Sequence, residues 1–157
     1  AEFEVVPIES PARVGSHAIS RALCDEMIEK YTLFLQHAEP WTPEMAEVFT
    51  RRSTLFALVH KWEYSRRDAA KATSLDETYV PALYRLGVAL YHLRRYDESA
   101  AAIIRGRRFE PDNPDLKHAF EVAIEKTRSR SHRRTLPPVA LPMTPIPTGR
   151  GGSGDAN

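Results

Sequence analysis

The sequence predicts an all-α fold: a right-handed α-solenoid of about three helical hairpins, closed by a C-terminal capping helix. Three observations lead to this prediction. Apolar residues recur at intervals of three and four from about residue 16 to residue 126, and no stretch alternates with period two. Prolines and other helix-breaking residues divide this stretch into several segments, each long enough for one helix. The sequence also matches itself when it is shifted by about 34 residues.

The composition fits one folded domain with an unpacked tail. The chain has 157 residues, of which 42% are hydrophobic and 27% charged, and 12 prolines. Its one cysteine, Cys24, cannot form an internal disulfide and is expected to be a small buried residue, which indicates a reducing compartment, cytoplasmic or nuclear. No apolar run approaches the length of a membrane span, and the first residues lack the pattern of a signal peptide.

Charge is unevenly distributed behind a formal net charge of +1. Residues 1–45 carry −5, residues 46–113 carry +3 and residues 127–157 carry +4. An acidic front, a basic middle and a basic tail follow from this distribution.

The elements are predicted in order along the chain. Residues 1–15 form an N-terminal extension, and residues 16–130 form the domain. The first helix, around Ser16 to Cys24, is weak and is either shortened or merged into one long helix that reaches Ala38. Pro81 and Pro114 suit first helical turns, and Asn113 is placed to cap a helix at residues 114–130. Residues 131–157, rich in Arg, Ser, Pro and Gly, are predicted to be disordered.

Three copies of a unit follow from the internal match, at about residues 12–45, 46–79 and 80–113. Small residues coincide where two helices approach closely, and large apolar residues coincide near each unit's end. The coincident sets are Ala38, Ala72 and Gly106, and Trp41, Leu75 and Phe109.

The third unit resembles a tetratricopeptide repeat. It contains Leu83-x2-Leu86-Gly87-x2-Leu90, then Ser99-x3-Ile103 and then Pro111, with aliphatic residues where the family has aromatic ones. The second unit has Ser53 where the family has glycine and Glu77 where it has proline. The resemblance covers about 110 residues and implies a concave groove lined by the first helix of each repeat.

Function is expected in that groove. By the resemblance, its peptide-binding positions on three successive helices are Arg51 and Thr54, then Tyr84, Arg85, Val88, Tyr91 and His92, and finally His118 and Val122. Arg51 and Arg85 lie one repeat apart, and two neighbouring guanidinium groups favour a carboxylate. The alternative for each arginine is a carboxylate of the chain itself, or solvent.

The resemblance extends in part to clamp-type co-chaperones, whose groove holds the acidic C-terminal tail of heat-shock chaperones. Of the clamp's basic and amide residues only Arg85 survives; Ser16, Ser20, Arg51 and Pro81 occupy the other positions.

The sequence therefore leaves three functions open. The first is an adaptor or scaffold domain that binds an acidic peptide or a partner helix. The second is a co-chaperone with a degraded clamp, and the third is a targeting or regulatory domain of a larger enzyme or scaffold. An incomplete first repeat also leaves room for a homo-oligomer.

Catalysis and cofactor binding are not expected. No nucleophile, phosphate-loop or dinucleotide motif is present, and the six histidines are not spaced as metal ligands. Nucleic-acid binding by the arginines of residues 128–134 is disfavoured, because no aromatic residue is interleaved to stack on bases.

Overall fold

The computed structural model describes residues 21–135, with side chains through residue 133. This range contains six α-helices and no strand, which confirms the all-α prediction. The predicted N-terminal extension and the tail beyond residue 135 lie outside the described residues. The helices are α1 (Arg21–His37), α2 (Met45–Leu58), α3 (Trp62–Leu75), α4 (Val80–His92), α5 (Tyr96–Phe109) and α6 (Pro114–Thr135).

The helices stack as a solenoid. Each packs against the next along the chain, and α2, α4 and α6 also pack side by side. The hairpin α4–α5 falls within the predicted third unit, the hairpin α2–α3 begins one residue before the predicted second unit, and α6 packs on α5 at the end of the array. The first helices of the hairpins, followed by α6, therefore form one continuous face.

Both hairpin turns have the same backbone design. After α2 the amide of His60 donates to the carbonyl of Ala57, and that of Lys61 donates to Phe56. These are the two bonds of a Schellman motif, and they place His60 at a φ of 59°. Arg94, one repeat later, has a φ of 62° in the equivalent turn after α4. The turns thus repeat with the sequence period.

The two hairpins achieve the close approach of their helices differently. In α4–α5, the Ser99 hydroxyl donates to the carbonyl of Gly87 at 2.7 Å, and a Cβ on Gly87 would overlap the side chain of Ile103. In α2–α3, Ser53 replaces the glycine and donates its own hydroxyl to the carbonyl of Ser65 at 2.8 Å. Here the first helix of the hairpin donates to the second, the reverse of the bond in α4–α5, and the helices α2 and α3 remain closely packed.

Helix ends follow the predicted signals, with one difference at α6. Pro81 lies in the first turn of α4. The Asn113 carboxamide oxygen accepts from the amides of Asp115 and Leu116 at 3.0 and 3.2 Å, the bonds of an N-cap. Helix α6 continues to Thr135, past the predicted end at residue 130. The first proline that blocks a helix is Pro137, and the residues before it have adequate helix propensity.

Helix α1 is continuous from Arg21 to His37, as in the merged form considered for the first repeat, whose residues 16–20 lie outside the described residues. Among the described helices it packs only against α2. Its buried apolar contacts include Cys24 against Leu55 and Val59, and Leu35 against Phe49. Cys24 is buried as predicted, and burial raises the pKa of its thiol.

An ion pair that was not predicted joins the two helices of the α2–α3 hairpin. The Arg52 guanidinium donates two bonds of 2.7 Å to the carboxylate of Asp68 on α3. A third bond, of 3.0 Å, reaches the hydroxyl of Thr32 on α1. Burial raises the pKa of Asp68 more than Arg52 lowers it. One side chain of α2 thus connects three helices.

Candidate functional site

The predicted groove residues lie on the three helices that pack side by side. Thr54, Val88 and Val122 occupy equivalent positions on these successive helices and are half-buried. The complete predicted set lies on α2 (Arg51, Thr54), α4 (Tyr84, Arg85, Val88, Tyr91, His92) and α6 (His118, Val122).

Arg85 is the most distinctive group of this set. Its guanidinium is half-buried and lies 5.5 Å from the centroid of the Tyr84 ring. Within the described residues it has no ion pair and no side-chain hydrogen bond. Burial lowers the pKa of Arg85, and Tyr84 and Asp115 oppose this shift only in part. Arg85 is thus a partly desolvated cation to which no carboxylate is bonded among the described residues.

Arg51, one repeat earlier, forms an ion pair with a carboxylate of the same chain. Its Nη2 atom lies 2.5 Å from the Glu47 carboxylate, one helical turn before it. Burial lowers the pKa of Arg51, but Glu47 and the neighbouring Tyr31 of α1 together raise it by more, so the pKa lies above its ordinary value. This outcome is the alternative left open for Arg51 from the sequence, because a carboxylate of the chain itself engages the guanidinium.

A single difference between the two repeats explains why Arg51 is paired and Arg85 is not. Glu47 precedes Arg51 by four residues, and oppositely charged side chains at this spacing meet on a helix. The equivalent residue before Arg85 is Pro81, which has no charge and lies in the first turn of its helix. The exchange of glutamate for proline therefore releases the arginine of the third repeat.

The other end of α4 contributes an aromatic cluster. The His92 ring stacks on the Trp62 indole with centroids 3.7 Å apart and an angle of 6°. Tyr91 contacts His92 edge-on at 5.6 Å, and His60 contacts Trp62 at 5.8 Å. Burial lowers the pKa of His92, and the charge of His60 lowers it further. His92 thus joins the third repeat to the start of α3.

The remaining predicted positions are less specialised. The Thr54 hydroxyl donates to the carbonyl of Thr50 at 3.0 Å, within its own helix. His118 on α6 is exposed. These groups line the face without a geometry that singles them out.

Three contacts around these residues were missed from the sequence. The pair Glu47–Arg51 was visible in the four-residue spacing. The approach of Tyr31 to Arg51 and the stacking of Trp62 on His92 each join residues that are distant in the sequence and lie on different helices. No local pattern predicts such contacts.

The described residues contain no group of three or more His, Cys, Asp or Glu side chains placed to hold a metal ion. None of their helices is both long enough and apolar enough to cross a membrane.

Comparison with known proteins agrees with this architecture. The TPR domain of Sgt2 from Aspergillus fumigatus superimposes with a TM-score of 0.64 and 24% identity, over 85% of this chain and 87% of that domain. The chain has the tetratricopeptide-repeat fold. The first TPR domain of Spaghetti (RPAP3), solved with the HSP90 peptide SRMEEVD, superimposes on it with a TM-score of 0.63 and 23% identity, over 69% of this chain and 82% of that domain.

Sequence comparison gives relatives that also contain tetratricopeptide repeats. The small glutamine-rich tetratricopeptide repeat-containing protein 2 of Mycosarcoma maydis is 27% identical over 117 residues, which is 74% of this chain and 32% of that protein. No protein-family profile matches the chain. The chain spans about a third or less of the length of the curated relatives it matches.

Proposed function

We propose that this chain is a protein-interaction domain whose concave face binds an acidic or carboxylate-bearing segment of another protein. The observation that carries the proposal is the half-buried guanidinium of Arg85, which has no ion pair within the described residues. A carboxylate bound there accepts two hydrogen bonds in one plane, which an arginine provides and a lysine does not.

The surrounding residues supply the rest of the site in this proposal. Tyr84 positions the guanidinium through its ring, 5.5 Å away. Val88 and Val122 offer apolar contact to the bound segment, and Tyr91 and His92 bound the groove at the end of α4. Arg51 contributes positive potential but not a free guanidinium, because Glu47 already binds it.

A co-chaperone role is the second candidate, and a comparison favours it. The Spaghetti domain is described as bound to the HSP90 peptide SRMEEVD, an acidic peptide with a terminal carboxylate. In this chain only Arg85 corresponds to the basic and amide residues of a clamp. Loss of the other contacts, each worth about 1.5 to 3 kcal/mol, makes such binding weaker than in a complete clamp.

A regulatory or targeting domain within a longer protein is the third candidate. It is supported by the lengths of the curated relatives, of which the chain spans about a third or less. Such a role is compatible with the same groove, because the fold carries the binding face and the rest of a longer protein would carry any further activity.

Calorimetric titration of the full chain with three peptides tests the groove. The probes are SRMEEVD, the same peptide with an amidated C-terminus, and a version with both glutamates replaced by glutamine. Arg85→Ala is expected to weaken the binding of the acidic peptides at least about tenfold, because it removes charge-assisted hydrogen bonds. Arg85→Lys should recover binding only in part.

The control variant is Arg105→Ala, which removes an exposed arginine of α5, a helix that carries none of the predicted groove residues. If both acidic peptides bind and amidation has no effect, acidic side chains are the ligand and the adaptor proposal holds. If amidation abolishes binding, the terminal carboxylate is the ligand and the co-chaperone proposal holds. Binding that is equal in wild type and Arg85→Ala, or absent for all three peptides, would contradict the proposal.

A further inference from the structure

Glu47 lies on the predicted binding face, beside one of its two arginines. It precedes Arg51 by four residues, and side chains at this spacing share one face of a helix. The two side chains form an ion pair in which Glu47 is 54% exposed and Arg51 is 22% exposed. A ligand that approaches Arg51 from solvent therefore also meets the more exposed carboxylate of Glu47.

This ion pair changes the number of carboxylates that the groove can hold. Arg51 and Arg85 occupy equivalent positions on α2 and α4, which pack side by side with about 10 Å between their axes. Two available guanidinium groups at this separation would bind two carboxylates of one segment. Because Glu47 already binds Arg51, Arg85 is the one of these two arginines that has no ion pair within the described residues.

Glu47 competes with a ligand as part of the same molecule. Because it is attached one helical turn from Arg51, its effective concentration at the guanidinium is on the order of millimolar or above, whatever the concentration of the ligand. A ligand carboxylate that displaces Glu47 leaves the displaced negative charge close by, and the two carboxylates repel each other. A second acidic residue of a ligand therefore gains little at Arg51.

Uncharged side chains continue the face beyond the two arginines. Thr54, Val88 and Val122 are half-buried at equivalent positions of α2, α4 and α6. Leu58, one turn further along α2, is 53% exposed. These residues offer contact to uncharged side chains of a bound segment and not to further carboxylates.

We propose that Glu47 sets the specificity of the groove by closing the Arg51 position to ligands. The bound segment then presents one isolated carboxylate to Arg85, among uncharged residues, and a run of acidic residues gains nothing from its further charges. This inference rests on the proposed function, because it takes Arg85 as the carboxylate position. Specificity of this kind needs an element that disfavours the wrong ligand as well as one that favours the right ligand.

Calorimetric titration of the full chain with three peptides of equal length tests this role. Both ends of each peptide are blocked, and the background sequence is uncharged. The first peptide has one glutamate, and the other two have a second glutamate two or four residues later. In an extended segment these two side chains lie on one side, about 7 and 13 Å apart, which brackets the separation of α2 and α4.

Wild type should bind the three peptides with affinities that agree within about twofold. Glu47→Gln should bind at least one of the two-glutamate peptides about fivefold or more tightly than the one-glutamate peptide, because Arg51 becomes available for charge-assisted hydrogen bonds. Adding Arg51→Ala to Glu47→Gln should abolish this gain. Circular dichroism should show that every variant is folded, since a partly exposed pair at this spacing contributes little to stability.

The matched control is Glu98→Gln, which removes a carboxylate from an exposed ion pair with Arg95. Glu98 lies on α5, a helix that carries none of the predicted groove residues. This variant has the same net charge as Glu47→Gln but should bind the three peptides as wild type does. A general effect of net charge on acidic peptides would appear in both variants.

Two outcomes would overturn the role of Glu47. One is a wild type that already prefers a two-glutamate peptide by about fivefold and loses this preference in Arg51→Ala. The other is a Glu47→Gln variant that gains no more than Glu98→Gln. Either outcome leaves the proposed function in place if the one-glutamate peptide binds and Arg85→Ala weakens its binding. If wild type and Glu47→Gln bind none of the peptides, both the proposed function and this inference are wrong.

Discussion

At the scale of single residues, the fold depends on a few backbone positions that the repeat reproduces. His60 and Arg94 hold left-handed conformations in equivalent turns, although neither is a glycine. A side chain at such a φ crowds its own backbone, and glycine removes this strain. The turns are therefore formed at some cost in stability.

Replacing Arg94 with glycine should raise the stability of the domain. The free energy of unfolding is expected to increase by about 0.5–1 kcal/mol, because the strain relieved exceeds the added freedom of the unfolded chain. Urea unfolding followed by circular dichroism measures the change. Arg105→Gly, in the interior of α5, is the matched control and should lower stability by about 1 kcal/mol. Equal losses in both variants would show that no strain is stored at Arg94.

Gly87 should be intolerant of even one methyl group. Its Cβ would overlap Ile103, which is fully buried between helices, so Gly87→Ala should destabilise the domain by about 1–3 kcal/mol despite the better helix propensity of alanine. Thermal and urea unfolding give the magnitude. Gly106→Ala is the comparison, since its Cβ would approach Leu116 only to 3.3 Å, and its loss should be smaller. A stabilised Gly87→Ala protein would contradict the close approach of α4 and α5.

At the scale of elements, one ion pair joins the two helices of the α2–α3 hairpin. The Arg52 guanidinium carbon lies 5.8 and 5.7 Å from the ring centroids of Phe49 and Phe56, while the guanidinium binds Asp68. The pair therefore lies among apolar groups, where an unpaired charge is costly. Removing one partner should therefore lower the stability of the domain much more than removing both.

We expect Asp68→Asn to lower the free energy of unfolding by about 2–4 kcal/mol, because Arg52 would keep its charge without its carboxylate. The double variant Arg52→Met/Asp68→Leu should lose clearly less than the single variant, since it leaves no unpaired charge. A double-mutant cycle from denaturant unfolding provides the comparison. Additive losses would show that the two side chains do not act as a pair.

At the scale of the whole molecule, successive repeats are joined by contacts that one repeat cannot form alone. The stacking of His92 on Trp62 connects α4 to the preceding hairpin, next to the predicted binding face. Because burial and His60 lower the pKa of His92, the fold favours the neutral imidazole. The contact between repeats therefore depends on pH.

The sign follows from the lowered pKa. Stability from neutral His92 is fully present above the ordinary value of 6.5 and is lost as the pH falls through the lower pKa of the folded state. NMR titration should show a pKa below 6.5, and unfolding experiments at pH 7.5 and 5 should show a decline. His92→Phe keeps a ring on Trp62 and should lose the part of the decline that belongs to this group. A decline of equal size in His92→Phe would assign it to other residues.

The sequence by itself determined the architecture and the period of the fold. Apolar spacing, helix-breaking residues and the internal match are local or periodic properties, and they were sufficient to predict the helices and the face that α2, α4 and α6 form. The positions of Asn113 as a helix cap and of Pro81 in a first helical turn were also predictable, because a cap and a first turn need only adjacent residues.

Only the tertiary structure decided which side chains are engaged and which are available. Arg51 and Arg85 are equivalent in the repeat, yet Glu47 binds one and Pro81 leaves the other without a partner of this kind. Arg52 meets Asp68, and Trp62 meets His92, across helices that are distant in the chain. Such contacts depend on how the helices pack, since the distance between two side chains is set by the packing and not by their separation in sequence.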